Sequence, residues 1–260
     1  IIFFTYLFCT YDFHMRVDAD GNPHFILGVL PSDDGYVYPG IFESNGWYHF
    51  WIDKDHLASP GEPQTATGWN YSQVVRTDTS WQWDLGGTAS WQYFFPHLAI
   101  SEEDPNVMYV VSSLVSPGEA DEVDGSYPEW TIDLNVMKSE DGGMTFNLTG
   151  LSFNITNYYK GNRVLIDPSN SDIIIVATSN GIYRSDDNGS SFAHVYAGIN
   201  ITDIEFHTTN TNIIYAASKG NTSVYKSSDN GLNWSNTSNG LPAMNDVVRA
   251  CVAVTPDNPQ

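Results

Sequence analysis

Short apolar runs punctuate the chain, each bounded by Asp, Asn, Gly, Pro or Ser. Three of them are Val107-Met-Tyr-Val-Val111, Ile173-Ile-Ile-Val-Ala177 and Ile213-Ile-Tyr-Ala-Ala217. Each stands seven residues after an apolar landmark, at Ile100, Ile166 and Phe206. The turn between landmark and run is built as in Asp167-Pro-Ser-Asn-Ser-Asp172, from residues that bond their own backbone. β-branched runs flanked by Gly and Asn read as strands. No segment sustains a 3.6-residue apolar period, so the pattern predicts an all-β chain. Upstream, Phe13-His-Met-Arg-Val17 alternates apolar and polar residues, Asp18–Asn22 supplies a turn, and Pro23–Val29 returns, which reads as a hairpin. Trp47–Ile52 is a further strand.

A second pattern is locked to the first. Ser139-Glu-Asp141-Gly-Gly143-Met-Thr145-Phe146, Ser185-Asp-Asp187-Asn-Gly189-Ser-Ser191-Phe192 and Ser227-Ser-Asp229-Asn-Gly231-Leu-Asn233-Trp234 share Ser-x-Asp-x-Gly-x-polar-aromatic. They start at 139, 185 and 227, so the spacings are 46 and 42 residues. A period of roughly 40–50 residues with short strands points to propeller blades. Val254-Thr-Pro-Asp-Asn-Pro259 restarts the unit, so the sequence reads as a window on a longer array, open at Gln260 and also at Ile1.

These octapeptides resemble the Asp-box, or bacterial neuraminidase repeat, of sialidases, sortilin-type receptors and xyloglucan-degrading glycoside hydrolases. The resemblance is strong over 96–260 and only stylistic over 1–95. It implies a single β-propeller of four-stranded antiparallel blades across 1–260, with Asp-box blades at 96–260 and divergent blades at 1–95. About five to six blades' worth of chain is expected, about two of them before residue 100. In that family the Asp-box is a structural hairpin between outer strands. The physics agrees: the Asp can accept N–H bonds across a turn, Gly can take positive φ, and the aromatic can pack beneath. Asp141, Asp187 and Asp229 are therefore expected to be structural. Asn233 departs from the usual Thr or Ser.

Charge sharpens the functional side. Ten Lys and Arg against 31 Asp and Glu give −21 over 260 residues. Phosphate neutralisation needs clustered cations, so nucleic-acid binding is not expected. No run reaches the ~18–20 apolar residues of a membrane span. The apolar start Ile1–Cys9 reads either as the tail of a signal segment or as a buried strand. Cys9 and Cys251 form no metal pattern; they read as two isolated buried thiols, or as a pair if the ends of the fold meet. Eight Asn-x-Ser/Thr sequons lend mild support to an extracytoplasmic place, secreted or on the cell surface.

Two features are candidates for ligand contact. Six of the eight tryptophans lie between 47 and 91. Trp47, Trp51, Trp81, Trp83 and Trp91, with His49, read either as a sugar-stacking surface or as inter-blade packing. An insertion around Ser112–Asp133 lengthens one unit: run to octapeptide spans 32 residues (107 to 139), against 12 and 14 in the next two. Its Asp121, Glu122 and Asp124 are a weak Ca²⁺ candidate or a solvated acidic loop. No other cofactor is expected.

Sialidases need an arginine cluster for a substrate carboxylate. The five arginines here are Arg16, Arg76, Arg163, Arg184 and Arg249, none in the Arg-Ile-Pro motif of that family. Val75-Arg76-Thr77-Asp78 resembles an Arg-Thr-Asp stretch of the xyloglucan-degrading enzymes; Asp78 reads equally as opening a turn. Polysaccharide lyases built on related propellers use His and Tyr near an anionic sugar; His24, after Asn-Pro, and His49, after Tyr, read either in that way or as strand residues packing against neighbouring turns. The reading is a non-catalytic propeller that binds glycan or extracellular protein, with further blades of the parent chain as partners. The alternative is a glycoside hydrolase or polysaccharide lyase.

Overall fold

A computed structural model describes residues 6–33, 36–37, 46–65, 67–76, 96–117, 130–152, 160–219, 223–239 and 250–256. Among them the chain is all-β, with four antiparallel sheets and one 3-10 turn at Lys54–His56. The first sheet orders β1 (Tyr6–Val17), β2 (Pro23–Asp33), β4 (Gly46–Ile52) and β5 (Trp69–Arg76), with β3 (Tyr36–Val37) also paired to β2. The second runs β6 (His97–Ile100), β7 (Met108–Pro117), β8 (Trp130–Ser139), β9 (Asn147–Ser152). The third runs β10 (Gly161–Asp167), β11 (Asn170–Thr178), β12 (Gly181–Ser185), β13 (Ala193–Ala197). The fourth runs β14 (Ile201–His207), β15 (Asn210–Ser218), β16 (Val224–Ser227), β17 (Ser235–Asn236). These are propeller blades, each an up-and-down meander.

The octapeptides connect the third and fourth strands of sheets two to four. Ser139 Oγ accepts the Gly143 N–H at 2.9 Å and donates to Asp141 Oδ1 at 2.8 Å. Asp141 then accepts the Thr145 N–H and hydroxyl at 2.9 and 2.6 Å. The Ser185–Phe192 and Ser227–Trp234 hairpins repeat this network. Asn233 Nδ2 stands in for the hydroxyl, 2.7 Å from Asp229 Oδ2. The fourth position turns left-handed, with φ of 57° at Asn188 and 56° at Asn230, where Asn is among the few side chains that tolerate it.

Sheets stack face to face, and the stacking has a direction. Ile26, Trp47 and Val74 of the first sheet bury against Leu98, Met108, Val110 and Met137 of the second. Tyr109, Val111, Leu134 and Val136, on the second sheet's other face, bury against Val164, Ile166, Ile174 and Val176. Leu165, Ile175, Ala177 and Ile182 meet Ile204, Ile214, Ala216 and Tyr225. Each fully buried Ile, Val or Leu contributes about 1.5–3 kcal/mol. This explains the near-continuous apolar runs: the central strands are covered on both faces, so alternation disappears. Phe146, Phe192 and Trp234 each pack from their hairpin into the cluster shared with the preceding sheet.

Residues 6–76 hold one sheet among the described residues, with long first strands of 12 and 11 residues in β1 and β2; the rest of the region expected to carry two blades, 77–95, lies outside the described residues. The insertion after Val111 is also partly regular. β7 and β8 continue as a paired ribbon out to Pro117 and Trp130. Asp121, Glu122 and Asp124 lie outside the described residues. Past the fourth sheet, Thr202 Oγ1 donates to the Ala250 carbonyl at 2.6 Å. Asn162 Nδ2 makes the same 2.6 Å bond to the Ile201 carbonyl one sheet earlier. Residues 250–252 thus take the place of the next first strand. Cys251, expected to be buried, is a free and exposed thiol. No helix among the described residues is long and apolar enough to cross a membrane.

Candidate functional site

First strands of successive sheets lie side by side: β1 on β6, β6 on β10, β10 on β14. This is the inner side of the arc, where propellers place their channel. Amid apolar strands it carries His14 and Arg16 from β1, His97 from β6, Arg163 from β10, and Asp203 and Glu205 from β14. No two of these strands are joined by a local motif, so six residues scattered from 14 to 205 converge only through the repeat.

Arg163 is the hub. Its Nη1 is 2.5 Å from Asp203 Oδ1, and its Nη2 bonds Glu205 Oε2. Asp203 and Glu205 are two apart on one strand, so both side chains leave the same face toward β10. Asp203 also accepts the Val252 N–H at 3.0 Å. Its side chain is 6% exposed, against 34% for Glu205. Arg16 has no acidic partner among the described residues. Its Nη2 lies 3.4 Å from His97 Nε2, while His97 Nδ1 faces the Val164 N–H at the same distance; a neutral ring accepts at only one of the two. Burial, then the neighbouring Arg163, lowers the Arg16 pKa, while Glu205 and Asp203 oppose this. The His14 ring lies on His97, centroids 3.9 Å apart. His14 Nδ1 accepts the Leu98 N–H, which leaves its proton on Nε2. Burial, with Arg16 and Arg163 adding repulsion, pushes His14 down to about 3. The cluster therefore presents a cation with spare N–H groups, a carboxylate edge and a neutral imidazole. Such groups suit hydroxyls and ring oxygens.

The residues singled out from sequence fall elsewhere. Trp47 is fully buried in the cluster between the first two sheets, so it offers no face to a ligand. His49 is also fully buried. Its Nδ1 donates to the Gly143 carbonyl at 3.0 Å and its Nε2 is 2.8 Å from His24 Nδ1. His24 in turn reaches Asp18 at 3.2 Å. That chain ties the first sheet to the hairpin of the second, and leaves neither histidine facing a substrate. Trp51 is half-buried and stacked on His49, centroids 4.6 Å apart. Trp81, Trp83, Trp91 and Asp78 lie outside the described residues. Among the described residues no group of His, Cys, Asp and Glu is arranged to hold a metal ion.

No known family profile matches the chain, and no curated protein sequence does. Solved structures do. The chain is similar to a GH74 xyloglucanase from Xanthomonas campestris at 15% identity and TM-score 0.51, over 88% of this chain and 30% of that one. It is similar to a mutant of NanB sialidase from Streptococcus pneumoniae at 11% identity and TM-score 0.51, over 89% of this chain and 53% of that one. A GH74 enzyme from Niastella koreensis matches at 16% identity and TM-score 0.47, over 86% and 29%. At these identities the likeness is one of fold. The chain spans about a third to a half of the length of these structures.

Proposed function

We propose that this chain is a carbohydrate-binding propeller that works outside the cytoplasm and carries no catalysis of its own. In this reading its octapeptides are Asp-boxes, and further blades of the parent chain are its structural partners. One observation carries the choice of binding over chemistry. Asp203 and Glu205, the acid pair on the inner strands, both bond the same guanidinium. Glycoside hydrolysis needs two carboxyl groups about 5–10 Å apart with one free to pass a proton. Here Arg163 N–H groups hold one oxygen of each acid and the Val252 N–H holds the second oxygen of Asp203, so no pair of open carboxyl groups is left to share the work. Arg16 and the exposed edge of Glu205 remain for ligand hydroxyls.

The second reading is a glycoside hydrolase, favoured by the xyloglucanase and sialidase folds the chain resembles. A glycan array run beside a hydrolysis screen separates the two. Binding without turnover is expected, weakened by Arg16→Ala. Turnover abolished by Asp203→Asn or Glu205→Gln would overturn the binding reading in favour of the enzyme.

A further inference from the structure

The seam between the second and third sheets opens where the next seam closes. Both are built from the same positions of the repeat, so they compare residue by residue. The residue before the octapeptide is Arg184 in the third sheet and Lys138 in the second. Arg184 crosses its seam: Nε donates to the Asn230 carbonyl, and the side chain is 9% exposed. Lys138 stays on its own sheet with Nζ on Glu140, and Tyr109 takes the equivalent Asn188 carbonyl instead. Four residues after the octapeptide's closing aromatic stands Tyr196 in the third sheet and Gly150 in the second. The Tyr196 ring lies against Tyr225 of the fourth sheet, centroids 5.1 Å apart. Gly150 has no side chain to offer the third sheet. One seam therefore lacks both plugs, and a cleft of about 440 Å³ stands there. Its walls are β8, β9 and the hairpin of the second sheet and the hairpin of the third, two neighbouring sheets with a further sheet on either side. That volume lies within the range of small-molecule sites.

The lining says what kind of ligand the cleft takes. Lys138 and Glu140 set a donor beside an acceptor. Asn147 pairs with Lys138 across β8 and β9, so the two side chains share a face. The Asn147 amide and the Ser190 hydroxyl make no hydrogen bond among the described residues, and each can both donate and accept. They stand on opposite sides of the seam. Leu148, 64% exposed, adds an apolar wall. Donors and acceptors spread around an apolar wall suit a ring that carries hydroxyls on its rim and C–H groups on its face. Charge narrows the class. Glu140 neutralises Lys138, and the Asp141 carboxylate is taken up by Ser139 and Thr145. No lining cation is left for an anion, and the net charge of −21 repels one.

We propose that this cleft binds an uncharged mono- or disaccharide unit, held by Asn147 and the Lys138–Glu140 pair on one side and by Ser190 on the other. The proposal rests on the carbohydrate-binding reading and gives it a second site. The cleft lies on β9, the edge of the second sheet opposite β6 and the inner strands that carry Arg163. A sugar seated there bridges two blades, so its binding also raises the melting temperature.

The test is titration of the 260-residue protein followed by saturation-transfer difference NMR. The probes are cellobiose, lactose and mannobiose, with galacturonic acid and glucosamine as charged comparisons. Asn147→Ala and Ser190→Ala are made beside Leu232→Ala, which holds the Ser190 position in the fourth sheet's hairpin. Circular dichroism melts check that each variant folds. The expected result is binding of at least one neutral disaccharide, weakened roughly three- to tenfold by Asn147→Ala and by Ser190→Ala, as loss of one hydrogen bond would do, and unchanged by Leu232→Ala. Neutral-sugar binding that survives both cleft changes but falls with Arg16→Ala overturns the cleft and leaves the inner-strand site standing. Preference for galacturonic acid or glucosamine overturns it as well. So does failure of every neutral disaccharide to bind a protein that still binds on a glycan array. No binding in either assay removes both this proposal and the reading it rests on.

Discussion

The Tyr109 hydroxyl, on the second sheet, donates to the backbone carbonyl of Asn188 in the third sheet's hairpin, 2.8 Å away. The same oxygen is 2.9 Å from Asn188 Oδ1. Equivalent ties recur at each junction. His49 donates to the Gly143 carbonyl, and Arg184 Nε to the Asn230 carbonyl at 2.9 Å. Each hairpin is therefore pinned to the sheet before it by a different side chain. Hairpin geometry exposes a carbonyl, and whichever donor the previous sheet offers satisfies it. Tyr109→Phe keeps the buried ring and removes the donor. It is expected to cost about 1–2 kcal/mol, since the part-buried Asn188 carbonyl loses its donor. Urea unfolding with an unchanged slope and a lower midpoint would show it; an unchanged midpoint would mean water replaces the hydroxyl.

Acid should destabilise the protein in two steps. Burial pushes His49 down to about 4, against the raising effect of its bond to Gly143, and His14 is held at about 3. In the unfolded chain both titrate near 6.5. Below that pH the unfolded state binds protons that the folded state refuses, so stability is full above about 6.5 and falls toward pH 4. The slope is about 1.4 kcal/mol per pH unit for each histidine. The second step belongs to the hairpins. Asp187 is held at about 2 by the Ser191 hydroxyl, the Ser185 hydroxyl and the Ser191 N–H. Its contribution is present above the ordinary carboxylate range near 3.8 and is lost as pH falls toward 2. Denaturant midpoints at pH 7, 6, 5 and 4 test the first step. His49→Gln should remove one proton's worth of slope.

The sequence exposes what repeats and conceals what converges. The strands of sheets two to four are legible because run, turn and octapeptide recur in register. The hairpin roles of Asp141 and Gly143 follow from residue chemistry, whereas the bonds of the Ser139 hydroxyl to Gly143 and Asp141 do not show in the sequence. The first sheet is legible only as a hairpin and a separate strand, because its 12-residue β1 and the missing octapeptide give the repeat no register there. Trp47 reads as a ligand candidate beside Trp51, since one-dimensional alternation says which residues share a face but not which face is covered. The inner cluster is invisible for another reason. Arg16, Arg163 and Glu205 belong to three sheets, and their meeting depends on how the sheets fan. One signal was available: Arg163 lies 40 residues before Asp203 and 42 before Glu205, close to the repeat period, which places all three near the same strand position of their units.

Gly150 in β9 approaches the next hairpin so closely that its N–H bonds the Gly189 carbonyl at 3.1 Å. A Cβ there would run into the Ser190 carbonyl and Ser191 Cα, which are backbone and cannot rotate away. Gly150→Ala should therefore cost about 1–3 kcal/mol, as overpacking does. Amide hydrogen exchange should localise the loosening to residues 185–192. Protection unchanged there, with stability intact, would show that the seam between these sheets can open without penalty.

Arg163→Ala is the most informative single change at the inner cluster. Asp203 and Glu205 would be left facing each other with their shared cation gone. A buried pair broken on one side typically loses about 3–5 kcal/mol. The outer part of Glu205 reaches solvent, so roughly 2–3 kcal/mol is expected here. Arg16 is the nearest remaining cation, and loss of Arg163 removes the repulsion that lowers the pKa values of both Arg16 and His14. Stability should therefore recover in part when Arg163→Ala is combined with Asp203→Asn. A thermal melt of the single and double variants measures this, with the double variant the more stable of the two. If both melt alike, the acid pair is hydrated after all, and the cluster is a solvent-open ligand site rather than a structural joint.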